Sequence, residues 1–583
     1  MPMPSASRPL VSPPRSLLAT AAVALAAAGF AARADDGLKA LQTRYAANGR
    51  EQAARAYHFG SQGPGDVFSN HASHSNRLIP FYTFGATLDP APFTGKNSLY
   101  RDEAKIKALY GSLPANTLNP EADYCDQSDL RRMLKTAVDR GAKHLFIVWF
   151  DGLDWPTTQA AAVVKTGRIY REGKGSGLIF QDYDARGTAR FGYYVTAPTH
   201  DQNIANVDEQ SISIARAALS GGYDAAIAGP NPWTLGPLGP RAPGYIKGQS
   251  ANAADKAGIA AVGRVAHAYT DSAPSAAEAV SGVKSYNNGI NVDERGRCVP
   301  TLFHEVQAQG WRVGTATSVP FDHASPAAMY AHNVHRDDYQ DLARDMLGLA
   351  SITQATRREP QHPGLDVVLG AGCGQTVELP AIRRRQGANA RPDNLYIAAD
   401  DLKAIDADNG GKYVVATTRD HVNGSAALLE AARRAAAEHK RLFGLFGSKK
   451  LAHLPYRTAD GGFDPAPGGR GRAEVYEPDE LAANPTLADM TRAALDVLSA
   501  APKRPFALFV EAGDVDFALH DNNLDDAVGA VYSGEDAVRA IIDWVEKHSD
   551  WNESALVVAA DHGHYLVIDD LETLAKIHAA AAK

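Results

Sequence analysis

The chain reads as an α/β protein with a mostly parallel central sheet flanked by helices, and three observations predict this. Several apolar runs are continuous, as in strands buried on both faces of a parallel sheet: His144-Leu-Phe-Ile-Val-Trp-Phe150, Phe506-Ala-Leu-Phe-Val510 and Ser554 to Ala560. Helical segments alternate with the strands, among them Gln127 to Arg140, Ala426 to His439 and Ser533 to Lys547, which is the order of βαβ units. The strands also stop alike: at Asp151-Gly152, at Glu511 with Asp514 and Asp516 beyond, and at Asp561-His562. Trp311 to Thr317 stops before Asp322-His323, and Leu365 to Leu369 runs into Gly370-Ala-Gly372. Ligands of such sheets bind beyond the carboxyl ends of the strands. Four of these five strands therefore deliver acids or histidines to the binding edge, a poor way to build a core and a good way to build a metal site.

At 583 residues the chain can bury a large core. Residues 1–34 read as a secretory signal: Arg8 and Arg15 precede an apolar run from Leu17 to Ala32, and Ala32-Arg33-Ala34 offers a cleavage site. That run is short for a membrane span, and no later stretch has about 18 uncharged apolar residues, so export to the periplasm or the medium without a span is expected. Removing residues 1–34 takes away three arginines and no acid, moving the balance from −8 to −11. Nucleic acid is thereby disfavoured as a partner. Cys125, Cys298 and Cys373 are far apart and odd in number, so one disulfide is the most they allow and none is spaced as a metal knuckle.

Along the chain, Asp35 to Ala56 suits a polar helix, and His71-Ala-Ser-His74 opens a loop that runs into an apolar, aromatic strand closed by Gly85. Residues 86–127 look irregular. The helix from Gln127 leads through Gly141, a candidate C-cap, into the strand at His144. The stretch from 156 to 252 is Gly- and Pro-rich in its second half and reads as an insertion that could cover the site. This divides the chain into a signal at 1–34, an N-terminal segment at 35–142 and a catalytic domain at 143–583.

Two patterns carry chemistry. In Tyr269-Thr-Asp-Ser272-Ala-Pro-Ser-Ala276 an Asp-Ser pair opens an Ala-rich helical segment, where unpaired amides and the helix dipole favour an anion. Ser272 is a candidate nucleophile there, although capping a helix is what Asp271 and Ser272 more often do. Asp514-Val-Asp516-Phe-Ala-Leu-His520 sets an acid and a histidine four apart, on one face of a helical turn. Alone this is weak, but Asp561-His562 is a second pair at a strand end, and Asp and His are zinc donors.

Together, Asp151-Gly, Thr270-Asp-Ser272-Ala-x-Ser-Ala with Gly282-Val-Lys284-x-Tyr-Asn, His323-Ala-Ser325-Pro-Ala-Ala-x-Tyr-Ala-His332-x-x-x-Arg336, Glu511-x-x-x-x-Asp516-x-x-x-His520 and Ala560-Asp-His562 resemble the alkaline phosphatases that use a phosphoserine intermediate, two zinc ions and a magnesium. The resemblance covers Lys143 to His564 and implies a three-layer sandwich. By it Ser272 attacks phosphorus and Arg336 grips the phosphoryl oxygens. Asp151, Asp561 and His562 are then ligands of the zinc at Ser272, and Asp516 and His520 of the zinc that activates water. Asp151, Ser325 and Glu511 look like magnesium ligands, His323 reaches a metal through water, His564 orients a zinc carboxylate, and His332 is structural. Phosphate monoesters are the implied substrates, and a homodimer is the common assembly by analogy.

One position departs from the pattern. The family supplies a further zinc-ligand histidine several tens of residues after the Asp-His pair, whereas only 21 residues follow His562. The family reads roughly His-x-Gly-x-Asp-Val-x-Val-Phe/Tyr-x-x-Gly at that element, and His74-Ser-Asn-Arg-Leu-Ile-Pro-Phe-Tyr-Thr-Phe-Gly85 reproduces its histidine, strand and glycine. The expectation is a strand moved to the N-terminus, as in circular permutation, with His74 completing the second zinc site and His71 as the alternative. The rival functions are a phosphodiesterase of the same superfamily and a phosphate- or metal-binding relative without turnover. A sulfatase is disfavoured because Ala276 stands where Ser-x-Pro-x-Arg requires arginine.

Overall fold

The structure, a computed structural model, describes residues 37–581 except 41, 44–61, 64–66, 69–77, 201–202, 216–217, 226–228, 230, 234–266, 358–360, 448–451, 469–472, 502–503, 522, 565, 567 and 569–570. The expected signal and the residues His71 and His74 lie outside the described residues.

Ten strands form the central sheet: β1 Ile79–Phe84, β2 Cys125–Asp126, β3 His144–Phe150, β4 Arg190–Val195, β5 Arg312–Pro320, β6 Val367–Ala371, β7 Tyr413–Thr417, β8 Arg441–Leu445, β9 Phe506–Ala512 and β10 Ser554–Ala559. Their spatial order is β7-β8-β6-β5-β9-β3-β10-β1-β4-β2. Every pairing is parallel except those β1 makes with β10 and β4. All positions of β5, β6, β9 and β10 are buried, which is why these runs are apolar throughout instead of alternating.

Burial on both faces requires a helical layer on each. In one group α6 (Gly424–Ala437), α7 (Leu487–Ser499), α9 (Leu524–His548) and α2 (Trp155–Thr166) touch in succession, with α7 against β5, β6 and β9. In the other, α1 (Gln127–Asp139), α3 (Ser272–Ser281) and α4 (Ala324–Ala328) touch in succession, and α4 lies against β5 and β9. Two further helices are α5 (Tyr339–Leu347) and α8 (Asp514–His520). Among the described residues no helix is long and apolar enough to cross a membrane, and the three cysteines form no disulfide.

Two stretches differ from their sequence patterns. Residues 86–127 contain a helix, Glu103–Tyr110, capped by Asp102, and the strand β2. The span from 156 begins inside the core, since α2 is almost wholly buried and β4 joins the sheet. Only the second half of β4, Tyr193, Tyr194 and Val195, is buried, and Arg190 and Gly192 dilute its strand signal.

A buried ion network fixes α3. Lys284 Nζ lies 3.0 Å from Asp126 Oδ2 and 2.9 Å from Glu278 Oε2, and donates to the Ala197 carbonyl at 2.7 Å. Asp126 caps α1 and Glu278 belongs to α3, so one ammonium ties both helices to the loop after β4. Lys284→Met is expected to cost about 3–5 kcal/mol, because it leaves two buried acids without their cation. A denaturant midpoint that moves by less than about 1 kcal/mol equivalent would show that the acids are neutral and need no partner.

Candidate active site

Register brings the acids together. Trp149 of β3 pairs with Glu511 of β9 on one side and with Ala559 of β10 on the other. Asp151 and Asp561, each two residues past those partners, therefore come level at adjacent strand ends, with Glu511 beside them. Thr317 of β5 pairs with Glu511 and donates to its Oε2 at 2.5 Å. The cluster thus follows from strand register, which periodicity alone does not reveal.

Ser272 is the first residue of α3, and Asp271 is its N-cap. The Ser272 Oγ donates toward Asp151 at 3.3 and 3.4 Å and lies 3.3 Å from His562 Nε2. The hydroxyl therefore stands at the amino end of a ten-residue helix, where developing negative charge is stabilised, and against the Asp151 carboxyl of the acid cluster. Asp271 Oδ1 accepts from the Ser272 amide at 2.8 Å and from Arg336 Nη1 at 2.7 Å. Capping and nucleophile placement are thus divided between Asp271 and Ser272. Arg336 Nη2 also donates to His323 Nε2 at 3.0 Å. Burial and this arginine push His323 down to about 3, so it is a neutral acceptor.

The remaining groups form a continuous cluster. His562 Nε2 lies 3.2 Å from Asp151 Oδ1, 3.6 Å from Asp561 Oδ2 and 3.8 Å from Asp516 Oδ1. His520 Nε2 lies 3.3 Å from Asp516 Oδ2, while His564 Nε2 contacts the other oxygen, Oδ1. Burial alone would raise Asp516, but His520 and His564 outweigh it and hold this carboxyl well below the usual range. Burial, followed by Asp561, Asp516 and Glu511, pushes Asp151 well above it. Glu511 is pushed up to about 8, chiefly by burial.

Four buried acids in mutual repulsion call for cations. Asp561 Oδ2, Glu511 Oε1 and the Ser325 Oγ are buried and make no hydrogen bond among the described residues, so acceptor capacity is left over. Asp151, Asp561 and His562 offer donor atoms within 4.8 Å of one another, and so do Asp516, His562 and His564. Mixed carboxylate and imidazole sets suit zinc. The oxygen donors Asp151, Ser325 and Glu511 suit magnesium.

Of the residues expected from the sequence, Ser272, Arg336, Asp151, Asp561, His562, Asp516, His520, Glu511 and His323 are linked by the contacts above. His332 lies elsewhere, donating from Nε2 to the Val299 carbonyl at 2.9 Å. Several positioning residues have no role in the motif reading. Ser275 donates to the Asp561 carbonyl at 2.6 Å and contacts Gln127, pinning α3 to the Asp561 turn. Asn287 Oδ1 accepts from the Asp271 amide at 2.9 Å. Gly152 has φ +74°, and a Cβ there would stand 2.6 Å from His564 Cδ2, so only glycine lets that ring reach Asp516. The Gly152 amide also donates to Asp561 Oδ1 at 3.0 Å. All three stand inside the quoted motifs, as Asp151-Gly152, Ser272-Ala-x-Ser275 and Tyr286-Asn287, which assigned them no role.

The model of the alkaline phosphatase family matches residues 249–580, more than half of the chain. The chain belongs to the alkaline phosphatase family. Alkaline phosphatase 4 of Bacillus subtilis is 29% identical over 294 residues, covering 50% of this chain and 49% of that protein. Streptomycin-6-phosphate phosphatase of Streptomyces griseus is 29% identical over 308 residues, covering 51% and 61%, and the alkaline phosphatase of Escherichia coli is 28% identical over 314 residues, covering 51% and 58%. The chain thus spans about half to three-fifths of the length of these alkaline phosphatase relatives. Among solved structures, a cold-active alkaline phosphatase from a psychrophilic Shewanella sp. aligns with a TM-score of 0.40 at 20% identity, over 72% of this chain and 68% of that one. The alkaline phosphatase of Thermus thermophilus aligns at 0.40 and 19%, over 73% and 60%.

Proposed function

We propose that the chain is a metal-dependent phosphomonoesterase that works through a phosphoserine at Ser272. The observation that carries the reading is the placement of the Ser272 Oγ, at the amino end of α3 and within 3.4 Å of both Asp151 and His562. In this reading Arg336 and the amides opening α3 bind the phosphoryl oxygens, and Arg336 turns from Asp271 and His323 to do so. The Ser272 oxygen then forms a bond to phosphorus as the ester oxygen leaves with its electron pair and takes up a proton. Water attacks the phosphoserine in the second half, restoring the Ser272 hydroxyl and releasing phosphate. Asp151, Asp561 and His562 would hold one zinc, Asp516 and His520 a second, and Asp151, Ser325 and Glu511 a magnesium; bound there, the ions lower the pKa of attacking oxygens and neutralise the departing one. His564 keeps Asp516 turned toward His520. Recognition that centres on the phosphoryl group gives a broad range of monoesters. Purified protein supplied with zinc and magnesium is expected to hydrolyse p-nitrophenyl phosphate at least ~10²-fold faster than bis-p-nitrophenyl phosphate; the reverse preference would assign it to the diesterases.

For the second zinc we propose His74 as the remaining ligand. The support is β1, which runs antiparallel to β10 with Tyr82 opposite Val558 and Phe84 opposite Leu556. Its first residue, Ile79, therefore stands toward the Asp561 end of β10, and His74 precedes it by five positions. Zinc per chain is expected to fall by about one ion in His74→Ala and to hold in His71→Ala. Unchanged zinc in both variants would remove this ligand from the reading.

A further inference from the structure

Outside the acid cluster the described residues bring three histidines together: His304, in the helix Leu302–Ala308, His332, in the loop leading to Arg336, and His362. Each offers a ring nitrogen, and these atoms lie within 4.8 Å of one another. The rings form a stack, with His304 to His362 at 4.0 Å and 16° and His304 to His332 at 5.2 Å and 10° between centroids and planes. His304 is 9% exposed, and its Nε2 is buried without a hydrogen bond among the described residues. The His332 Nε2 donates to the Val299 carbonyl at 2.9 Å, and outer hydrogen bonds of this kind orient a ligating histidine.

We propose that His304, His332 and His362 form a further transition-metal site, filled by zinc, that braces the loop carrying Arg336. Three imidazoles and no carboxylate favour zinc over magnesium or calcium. With Zn–N near 2.0–2.1 Å, ligating nitrogens stand about 3.3 Å apart, so the nitrogens, now within 4.8 Å of one another, close by up to about 1.5 Å and a ring turns out of the stack to aim its in-plane lone pair at the ion. The two inner histidines are buried and His362 is half-buried on a loop, so the His362 ring supplies the movement. His304 Nδ1 accepts from the Thr301 amide at 3.2 Å, so binding at Nε2 moves that ring's proton to Nδ1 at the cost of this bond, with the Thr301 Oγ1, 3.3 Å away, as the new acceptor. Burial, with His332 and His362 as neighbours, already holds His304 well below its ordinary range, so the ring is neutral and able to ligate. His332 is four residues from Arg336, and the intervening Asn333 is held by backbone hydrogen bonds to Ile290 in both directions, at 2.9 and 3.0 Å. An ion at His332 would therefore stiffen the segment that aims Arg336 without touching substrate.

The test uses the full chain, stripped with chelator, reloaded with Zn²⁺ alone, desalted and assayed for zinc per chain. His362→Ala is expected to hold one ion fewer than wild type with unchanged circular dichroism, and His304→Gln to lose the same ion. To separate this site from the catalytic one, the count is repeated in an Asp151→Asn/Asp516→Asn background. There one ion is expected to remain and to disappear when His362→Ala is added. A background that binds no zinc, or an ion that survives His362→Ala, would overturn the three-histidine site. Wild-type protein that holds this ion and no other would instead uphold it while defeating the catalytic-zinc reading.

Discussion

Replacing Ser272 by alanine is expected to lower kcat/KM for p-nitrophenyl phosphate by about 10³-fold or more. The argument rests on what the substitution removes and what it keeps. Asp271 provides the N-cap of α3 and the contact to Arg336, so Ser272→Ala leaves the helix and the phosphoryl grip in place. Stability should therefore change by less than about 1 kcal/mol, and affinity for inorganic phosphate should stay within about threefold. What disappears is the oxygen that would accept the phosphoryl group, together with the phosphoserine trapped on acid quench during turnover. A loss below about tenfold would leave Ser272 as a buried hydroxyl beside a metal site and would defeat the phosphoserine route. Residual activity with no trapped phosphoserine would point to direct attack by water.

Much of this geometry was legible in the chain because parallel strands advertise themselves. The runs ending at Asp151, Glu511 and Asp561 are apolar without alternation, and the same burial that makes them so places their ends on one edge. The Asp516 to His520 spacing likewise fell on a helix, Asp514–His520. What could not be read is whatever depends on register and long-range polar pairing. Ser275 meets the Asp561 carbonyl across 286 residues, and Lys284 meets Asp126 across a helix and a sheet edge; neither partner changes a local period. The strand β4 was hidden because it is half-exposed and carries Arg190 and Gly192 among its six residues. The histidine stack escaped for the same reason, since His304, His332 and His362 are separated by 28 and 30 positions and only the fold stacks them.

Metal affinity is expected to rise steeply with pH up to about pH 8. In the metal-free protein Glu511 is pushed up to about 8 by burial, and Asp151 well above its usual range by burial and by Asp561, Asp516 and Glu511. A carboxyl raised in the folded state is protonated there below its folded value, so a divalent cation must displace that proton. For one proton at Glu511 the apparent dissociation constant should fall about tenfold per pH unit up to pH 8, or roughly 100-fold from pH 6 to pH 8. The same sign governs stability. Between the ordinary carboxyl value of 4.5 and about 8, the unfolded chain has released the Glu511 proton and the metal-free fold has not. Raising pH through that window therefore favours unfolding, and above pH 8 the full cost of holding the buried anion is present. Cations remove this cost by giving the anions a partner, so the gain in melting temperature on adding zinc and magnesium should be small at pH 5.5 and several degrees larger at pH 8.5. Glu511→Gln should reduce that difference, because an amide carries no proton to displace while Asp151 keeps its own. A gain independent of pH in the wild-type chain, or an undiminished one in Glu511→Gln, would show that the ions bind away from these acids.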